Sequence, residues 1–326
     1  MELEGDGDAG CCWFRRHCES LEISLPLTQR PCVPRSQSGL IAAICAFTLW
    51  GVLPLYWLQL EFMASSSIVA HRTIWSLAIL TVILIWRREG KELITQFSSP
   101  KAIGWLLISG SLLAANWILY VWATLNERIL EGSLGYYLNP FFNMLFGALW
   151  FGERHNRPQA IAIGLALCGV IIQLPTAGTF PWVAFTLAVT FSLYAVIKKR
   201  SPTGSRMGLT AESTLLAPIA VIWLIWQFDS PAAAFGGSWT NSLWLIGAGA
   251  ATISPLLFFG YAARNIRLTT LGMCQFIGPT VQLFIGWKMY GEPMPPARLL
   301  SFGLIWAAIA IYTWDGIRRS KLASTA

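Results

Sequence analysis

AFTLWGVLPLY (46–56) and AFTLAVTFSLY (184–194) agree at six of eleven positions. Each opens a long apolar run, and further pairs follow in the same order along the chain. AHRT (70–73) answers AEST (211–214), WATLNER (122–128) answers YAARNIR (261–267), and NPFFNMLFGALWFGE (139–153) answers GPTVQLFIGWKMYGE (278–292). Within the last pair Pro140, Gly147, Gly152 and Glu153 align with Pro279, Gly286, Gly291 and Glu292 at one constant offset, which Gly164 and Gly303 continue. Chance likeness between apolar strings does not keep order or align proline and glycine. The sequence reads as two homologous halves.

What the halves are made of follows from composition. Of 326 residues 55% are hydrophobic and 12% charged, against about 25% charged in a soluble domain. Ten stretches approach the roughly 20 apolar residues that cross a bilayer as a helix: 39–58, 67–86, 103–124, 131–151, 158–175, 181–198, 209–227, 241–262, 267–290 and 297–315. In hydrocarbon each backbone donor must find a partner within its own segment or a closed barrel. These runs are too long and unbroken for barrel strands. The expected fold is therefore an all-α polytopic membrane protein with ten transmembrane helices.

Five spans per half is an odd number, so the second half must enter the bilayer from the opposite face. That is an inverted repeat, related by a pseudo-two-fold axis in the membrane plane. The expected boundaries are a disordered tail over 1–38, a first five-helix repeat over 39–175, a second over 181–315 and a basic tail over 316–326. With the amino-terminus in the cytoplasm, nineteen of the 23 Lys and Arg fall on the inner side, Arg128 and Arg298 fall outside, and Arg72 and Lys288 lie within spans. This asymmetry places both termini in the cytoplasm. It also explains the net charge of +7 by the anionic inner leaflet, without a nucleic-acid partner. The tail shows no basic start followed by an apolar run, so it does not read as a secretory signal. Cys11, Cys12, Cys18 and Cys32 fit no zinc-ligand spacing. Cys45, Cys168 and Cys274 lie in apolar runs and read as packing residues. No metal or cofactor is expected.

FTLWGVLPLYW, AHRTIWS, ANWILYVWA, LEGSLGYYLNPFFN, FGER and QFIGPT together resemble the RarD branch of the EamA family, within the drug/metabolite transporter superfamily. The resemblance covers about residues 38–318. It implies ten helices in two EamA repeats, a bacterial inner membrane, and a permease often labelled chloramphenicol-sensitive protein. Better-understood relatives export amino acids and other small metabolites. The small four-helix multidrug members of the superfamily use an acid in their first helix, and the first span here has none.

Polar groups inside a membrane are expensive and mark cavities or partners. On that basis His71, Arg72 and Trp75 at the outer end of the second span are a candidate clamp or gate, with Arg72 able to hold a carboxylate in bidentate fashion. Glu212, the repeat counterpart of His71, is a candidate gating or coupling acid, or pairs with a basic loop residue. Tyr136, Asn139 and Asn143 share one face of span four at i, i+3 and i+7. Gln275, Gly278 and Gln282 form the matching face of span nine, and the two faces are expected to meet. Asn116, Trp117 and Tyr120 form a polar-aromatic turn in span three. Pro54, Pro140 and Pro279 each delete a backbone hydrogen bond and mark helix bends. Gly152–Glu153 and Gly291–Glu292 read as helix endings, with Glu292 a candidate partner of Lys288. Ala160, Gly164 and Cys168, with Gly303 and Ala307, form small-residue ridges suited to close helix approach.

Inverted halves can exchange conformations, opening a shared cavity to one side and then the other. The expected function is a secondary transporter that exports a small organic metabolite or drug-like solute. Its partners are the lipid bilayer and the solute, and the reading leaves room for proton coupling and a homodimer. A channel or receptor without coupled transport is the competing class. No HExxH, nucleophile elbow, paired intramembrane Asp or P-loop supports an enzyme or an ATP-driven pump.

Overall fold

A computed structural model describes residues 35–125, 129–172, 182–201, 203–227, 235, 238–289 and 294–324. The expectations for the tail before residue 35 with its four cysteines, for the linker at 173–181, and for Gly291 and Glu292 lie outside these residues. The described residues form helices and no strand. In order they are α1 (Arg35–Trp57) with a 3-10 turn over Leu58–Leu60, α2 (Ser65–Trp86), α3 (Gly90–Gln96), α4 (Pro100–Leu125), α5 (Ile129–Phe151) and α6 (Arg157–Ile171). Then follow α7 (Trp182–Arg200), α8 (Ser205–Trp226), α9 (Trp239–Asn265), α10 (Leu268–Gln275), α11 (Ile277–Met289) and α12 (Pro296–Ser324).

Among the described residues, eight segments are long and apolar enough to cross a membrane, α10 and α11 counting as one, and Arg157–Ile171 is a shorter apolar helix. α5 has 23 residues, about 34 Å at roughly 1.5 Å per residue. Large side chains such as Trp86, Trp226 and Trp239 stand exposed, which suits helices solvated by lipid rather than water. The protein is an all-α, multi-span membrane protein.

Local sequence accounts for the interruptions. Pro279 cannot donate to the carbonyl of residue 275 and its ring crowds that carbonyl, and the helix breaks at Phe276 between α10 and α11. Pro54 and Pro140 sit inside α1 and α5, which run on as single helices. α5 stops at Phe151, where Gly152 takes φ +61°, a left-handed value glycine adopts without Cβ strain. Glu153 then turns back onto the start of α10. Its Oε1 accepts from Leu268 N (2.7 Å), and its Oε2 from Thr269 N (2.9 Å) and Thr269 Oγ1 (2.6 Å). α6 opens with a capping box between Asn156 and Gln159. α12 continues as helix into the expected basic tail, to Ser324. Asp315 near its end accepts from Asn156 Nδ2 (2.8 Å) and Gln159 Nε2 (3.1 Å), and Arg319 lies 3.5 Å from its carboxylate.

The packing has a pattern. α1 packs on α9, and α4 on α7; α5 packs on α7, and α10–α11 on α1; α2 packs on α9, and α8 on α4. Exchanging the halves turns each contact into its companion. The pairs α2–α8, α5–α10 and α6–α12 map onto themselves. Close approach is set by small residues: a Cβ on Gly249 would lie 2.6 Å from the Trp75 carbonyl carbon and 2.7 Å from Ser76 N.

Both expected small-residue ridges face outward, Gly303 and Ala307 of α12 being exposed with nothing within 4 Å of a Cβ on Gly303. Ala160, Gly164 and Cys168 are exposed, and a Cβ on Gly164 would meet nothing within 4 Å. α6 meets α12 through Ala162, Ala166 and Gly169 instead, and Ser301 Oγ donates to Gly169 O at 2.7 Å. At 3.6 residues per turn the two sets of positions lie on different faces of the helix, and spacing alone does not say which face looks inward.

Candidate functional site

A cavity of about 230 Å³ lies between α1, α2, α4, α5, α7, α9 and the broken pair α10–α11. Its walls are mainly aromatic, with Phe47, Trp50, Trp57, Trp117 and Phe191, and its polar groups are Arg72, Asn116, Tyr120, Tyr136, Thr252, Gln275 and Gln282. Pro54 of α1 and Gly278 and Pro279 of α11 also line it. The break at Phe276 places Gln275 and Gln282, on either side of it, along one wall.

Arg72 is the formal charge in this lining. Its guanidinium lies 4.2 Å from the Trp117 ring centroid and 5.9 Å from that of Trp57, distances at which a ring face attracts a cation. Tyr120 and Tyr136 meet edge to face with centroids 5.8 Å apart. Tyr136 leaves 45% of its surface uncovered, and that surface borders the cavity. Asn116 is fixed by donating to Leu187 O and Thr190 Oγ1, both at 2.9 Å. Gln282 Nε2 reaches Trp50 O at 3.4 Å.

His71 and Trp75 do not line this cavity. Successive helix residues are rotated by about 100°, so the turn that aims Arg72 inward aims His71 elsewhere. Both rings stand against Phe235 instead, with centroids 5.7 and 5.4 Å away. Asn139 and Asn143 also stay outside it, one and two turns beyond Tyr136. There α5 meets α7 and α10, and the amides bridge them: Ser192 Oγ donates to Asn139 Oδ1 at 2.6 Å, and Asn143 Nδ2 donates to Gln275 Oε1 at 3.0 Å. Pro140 packs at the same contact, where a Cβ on Gly272 would lie 2.7 Å from its carbonyl oxygen.

Beneath the cavity the bundle is closed by aromatics. Trp50 packs edge to face on Phe191 (5.8 Å) and Phe259 (5.6 Å), and Tyr194 stacks on Phe259 (6.1 Å). Past this layer lies Glu212, 1% exposed. Its Oε1 accepts from Lys198 Nζ (2.6 Å) and Ser109 Oγ (2.5 Å), and its Oε2 from Tyr194 OH (3.3 Å). Glu212 therefore does not reach the cavity. Its basic partner comes from α7 rather than from a loop.

Sequence reasoning placed Trp50 with the turn of Asn116, Trp117 and Tyr120, beside which it lies, but missed Lys198, Ser109 and the other floor rings, Phe191, Tyr194 and Phe259. Lys198 closes an apolar run next to Lys199 and Arg200 and looks like any loop cation. A signal was present nonetheless, since Tyr194 and Lys198 stand four apart on one face. Among the described residues no cluster of His, Cys, Asp and Glu could hold a metal ion.

Comparison with known proteins gives a consistent result. Residues 37–174 match the model of the EamA-like transporter family. The chain is 36% identical over 284 residues to Protein RarD of Salmonella typhimurium, covering 87% of this chain and 97% of that protein. It is 38% identical over 295 residues to the uncharacterized transporter YojE of Bacillus subtilis, covering 89% and 98%. It is 29% identical over 289 residues to the chloramphenicol-sensitive protein RarD of Pseudomonas aeruginosa, covering 87% and 96%. A crystal structure with 18% identity shares the fold at a TM-score of 0.66, covering 86% of this chain and 98% of that one.

Proposed function

The chain belongs to the EamA-like transporter family, as a membrane transporter of the drug/metabolite type, and on that premise we propose that it is a secondary transporter carrying a small organic metabolite outward across a bacterial inner membrane by alternating access. Ten spans in two inverted halves, 39–175 and 181–315, with both termini in the cytoplasm, are part of this reading. The observation that carries it is the central cavity, sealed on one side by the aromatic layer and the Lys198–Glu212 pair. The main helix contacts around it are exchanged in pairs when the halves are exchanged, as two interconvertible arrangements require, while α7 packs on α9 without an equal companion between α1 and α4. On this reading the sealed side, next to the basic loops, is the cytoplasmic one, and the conformer faces outward. Glu212 and Lys198 form the closed inner gate, and Glu212 is the group through which a proton would couple. The exposed ridge of Ala160, Gly164 and Cys168 faces lipid or a second copy of the chain.

A volume of about 230 Å³ falls below the roughly 300–1,000 Å³ of sites for drug-sized ligands. That favours a metabolite over a bulky drug. The test compares the solutes released by cells with and without the protein, then follows the best candidate in proteoliposomes. Saturable uptake with counterflow is the expected result. Flux that neither saturates nor exchanges would make the protein a channel.

A further inference from the structure

We propose that the transported solute is an organic anion, a carboxylate on a planar or aromatic body, held by Arg72. This rests on the transporter reading and narrows its substrate. Among the described residues, Arg72 has neither an ion-pair partner nor a hydrogen bond at Nε, which is buried. No described Asp or Glu lines the cavity with it. An uncompensated cation inside a spanning bundle is costly, so its retention there implies an anion that arrives from outside the protein.

The geometry says how that anion is met. The Arg72 guanidinium sits over the rings of Trp117 and, farther off, Trp57. Nε–H is buried, which leaves the two Nη groups to offer the paired N–H donors that a carboxylate accepts end-on. Ring contacts of this kind hold the cation without spending its N–H donors. Gln275, Gln282 and Tyr136 border the same space and supply polar contacts beside the carboxylate, while Phe47, Trp50 and Phe191 offer flat apolar surface for the body of the solute. The same walls disfavour two other classes. A cation meets the positive field of Arg72, and a zwitterion brings an ammonium group for which the described lining offers no carboxylate.

The full chain in nanodiscs tests this through thermal stabilisation, which grows with ligand concentration relative to Kd. The probes are matched pairs: benzoate and benzamide, phenylacetate and phenylacetamide, indole-3-acetate and its amide, with phenylalanine and phenethylamine as zwitterion and cation. At least one acid should reach a given stabilisation at a concentration about tenfold or more below its amide, as a charge-assisted bidentate contact predicts. Arg72→Gln should abolish that difference. If no acid outperforms its amide, or if Arg72→Gln keeps the discrimination, the anion proposal is overturned. Should Arg72→Gln fail to fold, the acid-against-amide comparison in the unmodified protein decides alone. Failure here is separable from failure of the transporter reading. An amide that binds equally well and shows counterflow in proteoliposomes leaves transport standing and removes the anion.

Discussion

Glu212→Gln removes one charge from a pair that the fold has buried almost completely. The side chains of Lys198 and Glu212 are 6% and 1% exposed, with Nζ and Oε1 2.6 Å apart. Glutamine keeps the shape and one carbonyl acceptor, so Ser109 and Lys198 still find an oxygen. What it loses is the counter-charge. Removing one member of such a pair costs about 3–5 kcal/mol, because the survivor is left buried and uncompensated. At about 1.4 kcal/mol per tenfold change, even the lower figure shifts an equilibrium between gate-closed and gate-open conformers by more than about a hundredfold. The readout is a cysteine placed at Gln282, on the cavity wall, labelled by a membrane-impermeant maleimide from the outer face, with the native cysteines as background. Glu212→Gln should cut that labelling to below about a tenth and lower the melting temperature. The double change Lys198→Met/Glu212→Leu replaces the pair by apolar groups of similar volume and should recover stability, as such replacements do elsewhere. If Glu212→Gln labels and melts like the unmodified protein, within about 0.5 kcal/mol, the pair seals nothing and the gate assignment is wrong.

Four further outcomes are expected. Gly249→Ala should lower stability by about 1–3 kcal/mol, since its Cβ would strike the α2 backbone at 2.6–2.7 Å. Gly164→Ala, which meets open space, should be neutral or stabilising by up to about 1 kcal/mol; melting curves that rank the two the other way would refute the packing described. Glu153→Ala leaves the first amides of α10 without their acceptors and should cost about 1–2 kcal/mol, the usual effect of losing a helix cap, read by chemical denaturation. Burial first, and then Arg267, holds the His155 imidazole below its ordinary value of 6.5, with Glu153 opposing. The unfolded chain therefore binds the proton first, and stability should decline as pH falls past about 6.5 and on through the lower folded-state value. His155→Gln should flatten melting temperature against pH between about 7.5 and 5, and an unchanged profile would exclude this histidine as the cause.

Much of this is legible in the chain alone, for a physical reason. A bilayer offers no partners to backbone polar groups, so long apolar runs such as 239–265 must be helical whatever surrounds them. The repeated strings around AFTL and NPFF carry their relation in their order. Arg72 stands out by its place in an apolar run, a cation in hydrocarbon whatever the packing around it. Pro279 likewise announces a backbone defect, which falls three residues earlier at Phe276.

Facing direction is not legible. Every face of a lipid-solvated helix is apolar, so periodicity does not separate the side that meets protein from the side that meets lipid. Hence Ala160 and Gly164 point outward although their spacing suggests a contact, and His71 looks as central in the sequence as its neighbour Arg72. Contacts between α5 and α10, or between α4 and α8, bring together residues far apart in the chain. Only the tertiary packing could hide Lys198 beside Glu212, divert Asn139 and Asn143 into bridges between helices, and leave Arg72 facing a cavity with its charge unanswered.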